Sequence, residues 1–257
     1  MYSFAELVEI VARLRERCPW DREQTHHSLK QYLVEETYEV LEAIDRPDMH
    51  KLCEELGDLL LQILLHAAIA REEGHFGIEE VVSGLAAKMI RRHPHVFDGE
   101  KAAGSHEVAL HWEEIKARER GDRGAGEGSV LDGIPRHLPA LLRAYKAQSK
   151  ASRVGFDWPR AEDTLDKVKE EVEELRRAFG AGDDNRIREE MGDLFFALVN
   201  VARFLRVEPE GALSAAVDKF TRRFHYIEGR AREMGLALEQ MTLEEMDRLW
   251  EEAKASL

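Results

Sequence analysis

Apolar positions recur at helical spacing from the start of the chain. Phe4, Leu7, Val8, Val11 and Leu14 fall three and four apart and predict a helix over residues 4–17. Cys18-Pro19-Trp20-Asp21 interrupts it. Further helices are predicted at about 28–44, 49–71, 78–92 and 107–120. The turn signal Asp45-Arg46-Pro47-Asp48, then Gly74 and Pro94, separate them, and residues 93–105 read as irregular. Residues 121–128 hold four glycines in eight positions and mark a boundary. The helical pattern then restarts at about 136–152, 161–179, 186–206, 211–234 and 242–255. No alternating strand pattern occurs. The expectation is an all-α chain of two similar helical-bundle halves, 1–120 and 133–257, joined by a Gly-rich linker over 121–132.

The halves repeat one another in detail. Glu36, Glu39, Glu55 and Asp58 become Glu171, Glu174, Glu190 and Asp193 when 135 is added to each number, and Gly57 becomes Gly192. Lys88 and Arg92 map onto Lys219 and Arg223 at an offset of 131, and Trp112 and Lys116 onto Trp250 and Lys254 at 138. Spacing is constant within each cluster and drifts between clusters, as loop insertions produce. A mid-helix glycine costs roughly 1 kcal/mol against alanine. Keeping it twice suggests close helix packing or tight metal geometry.

Residues three apart on a helix stand about 60° from each other, so each helix presents a carboxylate pair on one face. The run Leu194–Val199 after Asp193 carries no charge, and its helix is apolar nearly all round, which predicts burial. A buried carboxylate needs a compensating charge. No basic residue is read at matching spacing, so the acid quartets suggest cation sites. Asp58 and Asp193 carry this reading furthest, because each opens a long uncharged stretch. Glu35, Glu54, Glu170, Glu173 and Glu189 read as solvated acids. All the proposed ligands are hard oxygens, which favours Mg²⁺, with Mn²⁺ as a substitute, and hence phosphate chemistry.

Lys219 and Arg223 share a helix face and are suited to grip a polyphosphate. Trp250 with Lys254 four residues on suits a base and its phosphates. The same tryptophans also read as core aromatics beside solvated lysines, and both readings stay open. His93-Pro94-His95 lacks the further soft ligands zinc would want. Glu23…His26 and Glu72…His75 have di-iron spacing but lie outside the acid clusters and do not recur. There is no Gly-rich phosphate loop or nucleophile elbow.

The balance of 37 basic against 51 acidic residues gives a net charge of −14, which argues against bulk attraction to nucleic acid or anionic membrane. Two cysteines, Cys18 and Cys53, make no disulfide framework. The first residues show no signal-peptide pattern, and the Leu59–Ala70 run is too short to span a bilayer. A cytoplasmic location is expected.

The signatures Glu35-Glu36-x-x-Glu39 with Glu55-x-x-Asp58, and Glu170-Glu171-x-x-Glu174 with Glu190-x-x-Asp193, resemble those of the MazG nucleoside triphosphate pyrophosphohydrolases. Cys18-Pro19-Trp20-Asp21, Arg91-Arg92-His93-Pro94-His95-Val96-Phe97 and Val154-Gly155-Phe156-Asp157-Trp158 resemble further landmarks of the tandem-domain members. The resemblance implies Mg²⁺-dependent hydrolysis of nucleoside triphosphates to monophosphate and pyrophosphate, often with broad base tolerance, in a homodimer that keeps nucleotide pools clean. It makes Glu171, Glu174, Glu190 and Asp193 the Mg²⁺ ligands of the second half, with Glu36, Glu39, Glu55 and Asp58 their counterparts. Lys219, Arg223 and Lys254 would contact phosphates and Trp250 would border the nucleotide; Lys88, Arg92, Trp112 and Lys116 are the first-half equivalents. Glu171, Glu174, Glu190, Asp193, Lys219 and Arg223 are the expected catalytic set. The rival readings are a narrow pyrophosphatase for dUTP, dCTP or phosphoribosyl-ATP, and a non-catalytic nucleotide-binding module.

Overall fold

The computed structural model describes residues 1–46, 48–99, 104, 108, 111–112, 115, 119 and 129–256. Every regular element among them is helical. The chain divides into two compact units, Met1–Ala125 and Gly126–Leu257.

In the first unit α1 (Phe4–Arg17) starts at a capping box in which Ser3 and Glu6 satisfy each other's backbone N–H groups. A short α2 (Pro19–Glu23) follows where the sequence showed only a break, its proline at the first turn. The long α3 (Lys30–Asp45) and α4 (Met49–Glu72) pack against each other; α1 and α5 (Ile78–Arg92) both pack on α4. Val11, Leu29, Leu64, Leu65, Ile69 and Ile78 form the core. The stretch expected to be irregular holds a one-turn helix, α6 (Pro94–Phe97). The helix expected at 107–120 falls mostly outside the described residues.

The second unit begins with turns over residues 130–137, so its first helix, α7 (Ala140–Ser152), starts later than apolar periodicity suggests. Next come α8 (Ala161–Ala181), ended by Gly182 in the left-handed conformation, and α9 (Asp184–Phe204). These two form the second long helix pair. α10 (Pro209–Glu233) and α11 (Leu243–Ser256) close a small core of Ile227, Ala231, Met241 and Leu249.

Two expectations about packing are overturned. α9 is buried on one face only: Ala197 and Val199 are covered, whereas Phe195 is 53% exposed, with Phe196 and Leu198 exposed beside it. Periodicity registers that a face is apolar, not which molecule covers it. Nor, among the described residues, does any atom beyond the glycine's chain neighbours and its own helix backbone lie within 4 Å of a Cβ built on Gly57 or Gly192. Neither glycine is required by close packing inside the chain.

One ion pair ties the first unit together. Arg15, buried on α1, donates from Nε to Glu72 Oε1 at 2.9 Å and from Nη1 to the carbonyl of Gln24 at 2.9 Å; Nη1 also reaches the carbonyl of Asp21. It thus joins α1, the α2 turn and the end of α4. Arg15 holds the Glu72 carboxyl below its ordinary value, its hydrogen bond outweighing the opposing effect of burial. A carboxylate depressed in the folded state contributes stability above its unfolded pKa and loses it as pH falls through the folded one. Arg15→Met is expected to cost about 2 kcal/mol at neutral pH, after discounting for the half-exposed Glu72. The deficit shrinks as the pH drops below the ordinary carboxylate value of 4.5, leaving the share due to the unpaired carbonyls. Urea unfolding of both proteins at pH 7 and pH 3 measures it.

Candidate active site

Asp48 and Asp183 stand 135 residues apart and cap α4 and α9. Asp48 accepts from the backbone N–H of His50 and Lys51 at 3.0 and 3.1 Å, and Asp183 from those of Asn185 and Arg186 at 3.1 and 3.2 Å. In sequence Asp48 is only part of a turn signal. As a cap it fixes where α4 begins, and so where Glu55 lies about two turns further on; Asp183 does the same for Glu190.

Against those glutamates stand two from the preceding helix. One carboxylate oxygen from each of Glu36, Glu39 and Glu55 lies within 4.8 Å of the others, and the same holds for Glu171, Glu174 and Glu190. Glu55, Glu171 and Glu190 are buried. Glu55 Oε2 and Glu171 Oε2 are shut from solvent with no hydrogen-bond partner. Burial, then the charges of Asp58, Glu39 and Glu55, push the Glu36 carboxyl up against an opposing hydrogen bond from Gln62. Glu39 is pushed up by its hydrogen bond and charge interaction with Glu55. Lys51 pulls Glu55 down.

The structure supplies basic neighbours that the sequence reading did not see. Lys51 pairs with Glu55. In the second unit Lys167 lies 2.7 Å from Glu171, Arg177 3.1 Å from Glu174 and Arg186 3.3 Å from Glu190. All stand three or four positions from their partner, a spacing open to inspection in sequence. Asp58 and Asp193 lie outside the three-oxygen groups and are exposed. Each stands about 60° further round its helix than the clustered glutamate. Asp58 still acts on Glu36 and Glu39 through its charge.

On α10 and α11 the Arg223 guanidinium sits 5.5 Å over the Trp250 ring, with Phe220 5.3 Å away. Trp250 also packs on the Ile227–Leu249 core, as its reading as a core aromatic expects. Lys219 is exposed on α10, and Lys254 pairs with Glu251 at 2.5 Å. In the first unit Arg92 sits 5.7 Å over Trp112 and Lys88 is half-buried on α5; Lys116 lies outside the described residues. Among the described residues no histidine joins a group of three metal-capable side chains. His93 Nδ1 is engaged by the Met89 carbonyl at 2.6 Å, and Glu72 by Arg15. Hard oxygen donors in a tight group, one of them buried without a partner, fit a hard divalent cation.

A family model of the MazG nucleotide pyrophosphohydrolase domain matches residues 24–97 and again 160–227. The chain belongs to this family. By that membership it is a hydrolase acting on acid anhydrides, built of two tandem helical domains. It is 47% identical over 253 residues to the nucleoside triphosphate pyrophosphohydrolase/pyrophosphatase MazG of Thermotoga maritima, covering 98% of this chain and 95% of that one. It is 44% identical over 261 residues to the nucleoside triphosphate pyrophosphohydrolase of Escherichia coli K12, covering 99% and 98%. A Bacillus subtilis protein, YabN, is 49% identical over 256 residues, 98% of this chain and 52% of that protein. The two family matches enclose both glutamate clusters.

Lys51→Met leaves Glu55 without its counterion. Scanning fluorimetry is expected to give a lower unfolding midpoint for this variant without metal, and a larger upward shift on adding Mg²⁺ than in the parent. Equal shifts would mean that Lys51 does not compete with a cation at the cluster.

Proposed function

We propose that the chain hydrolyses nucleoside triphosphates, ribo or deoxy, to the monophosphate and pyrophosphate in a Mg²⁺-dependent reaction with broad base tolerance, as a nucleotide-pool housecleaning enzyme of the cytoplasm. The observation that carries the reading is the twice-built three-glutamate group with a buried, unpartnered oxygen. The names of the Thermotoga and Escherichia relatives support the substrate class.

Glu171, Glu174 and Glu190, with Asp193 at the edge, would hold the ion in the second domain; Glu36, Glu39, Glu55 and Asp58 would do so in the first. Bound there, Mg²⁺ would neutralise the triphosphate and lower the pKa of an attacking water; Mn²⁺ would substitute. The other groups bind and orient. Arg223, stacked on Trp250, and Lys219 one turn earlier offer forked and point donors to the departing pyrophosphate. Lys254 exchanges Glu251 for phosphate, and the Trp250 edge borders the base without reading its polar groups, which suits broad tolerance. Lys88, Arg92, Trp112 and Lys116 have the equivalent places in the first domain. The domains run over 1–120 and 133–257, with 121–132 between them.

The working unit in this reading is a homodimer. Leu213, Val217 and Phe220 make an exposed apolar stripe on α10, and Phe195 with Leu198 another on α9, Phe196 being exposed beside it. Stripes this regular on a chain so rich in charge suit a second copy of themselves.

Incubation with each triphosphate and Mg²⁺ is expected to give monophosphate and pyrophosphate; diphosphate and orthophosphate as sole products would exclude the reaction. Glu174→Gln and Glu190→Gln are expected to lower kcat at least about a hundredfold with helical circular dichroism unchanged. Asp58→Ala and Asp193→Ala, made separately, tell which domain turns over. Sedimentation is expected to give twice the 29.5 kDa chain mass, and Phe195→Glu to shift it toward the monomer.

A further inference from the structure

The two halves treat their arginines differently. Arg91 and Arg92 end α5, and both turn onto one carboxylate, that of Glu119. Arg92 Nη2 is 2.5 Å from Glu119 Oε2 and Arg92 Nε 3.3 Å from Oε1; Arg91 Nε is 2.7 Å from the same Oε1. The Arg92 and Glu119 side chains are only 16% and 14% exposed. The paired arginines, Arg92 foremost, hold the Glu119 carboxyl down to about 2.

The repeat carries Arg91 and Arg92 onto Arg222 and Arg223, and Trp112 onto Trp250. The offset of the tryptophans carries Glu119 onto Leu257, an apolar residue. Among the described residues no carboxylate pairs with Arg222 or Arg223; Arg223 keeps only its place over the indole. Among the described residues the arginine–tryptophan stack is thus common to both halves, and an acid lies on the guanidinium in the first.

A carboxylate and a phosphate present the same pair of oxygens to a guanidinium fork. We propose that Glu119 is an internal competitor for the first-half arginines, so that a nucleoside triphosphate enters that half only by displacing it, while Arg222 and Arg223 stand open. The inference rests on the reading of these arginines as phosphate contacts. Displacement need not move Arg92 itself, because the Trp112 ring lies 5.7 Å beneath it and is braced by His93 at 4.7 Å. The second half therefore fills first, and the first half fills only at higher nucleotide concentration.

The test titrates the full chain with α,β-methylene-ATP, whose bridge resists cleavage, in the presence of Mg²⁺. Calorimetry is expected to resolve one strong site per chain and a second at least tenfold weaker. Glu119→Gln is expected to bring the second site to within about threefold of the first, and adding Arg92→Ala to remove that gain. A Glu119→Gln isotherm superimposable on the parent's, or a gain that survives Arg92→Ala, overturns the proposal. Binding to neither half overturns the phosphate reading beneath it, which is a distinct result. A second measurement needs no substitution. In the unaltered chain, carbon NMR of the Glu119 carboxyl is expected to show its pKa rising from about 2 toward the ordinary carboxylate range once both sites are saturated. An unchanged value at saturation overturns the proposal.

Discussion

Negative charge crowded between two helices is the constraint around which each half is built. Three glutamate oxygens within 4.8 Å of one another repel, and burial strengthens the repulsion. Without a cation the protein relieves it in two ways. Glu36 and Glu39 hold their protons more tightly than a free carboxylate would, and lysine or arginine side chains one turn away lean in. The halves differ in proportion. The second sets Lys167, Arg177 and Arg186 against its three glutamates, whereas the first has Lys51 and keeps raised carboxyls. Residues 32 and 42, which match Lys167 and Arg177 in the repeat, are Tyr32 and Glu42.

The clusters exist because helix starts are controlled. An aspartate cap satisfies backbone donors that would otherwise be orphaned, and it sets the register of everything downstream. Glu55 and Glu190 each lie seven residues past their cap, so capping and carboxylate placement are one device used twice. In the first unit Arg15 adds a second control by tying the far end of α4 to α1 and to the turn before α3. This ion pair adds to an apolar core built from Val11, Leu29, Leu64, Leu65, Ile69 and Ile78.

The second unit leaves apolar surface uncovered. Apolar stripes on α9 and α10 stay open to solvent in the isolated chain, although the helices themselves are regular and well capped. Helix formation needs only local hydrogen bonds and a tolerable sequence. Lasting stability needs the apolar faces covered. α9, which carries Glu190, thus also carries an apolar face that its own unit leaves uncovered.

The helices, the duplication and the clustered acids are legible along the chain. Helical periodicity placed α1 at 4–17 and α5 at 78–92, and a constant internal offset tied Glu36, Glu39 and Glu55 to Glu171, Glu174 and Glu190, because both signals are local or additive along the chain. Which side chains share space is settled by folding in three dimensions. It placed Asp58 and Asp193 at the solvent edge, left one face of α9 uncovered, and laid Glu119 across two arginines some 27 residues away. Distance along the chain says nothing of such meetings; they follow from how helices of fixed length are set against one another.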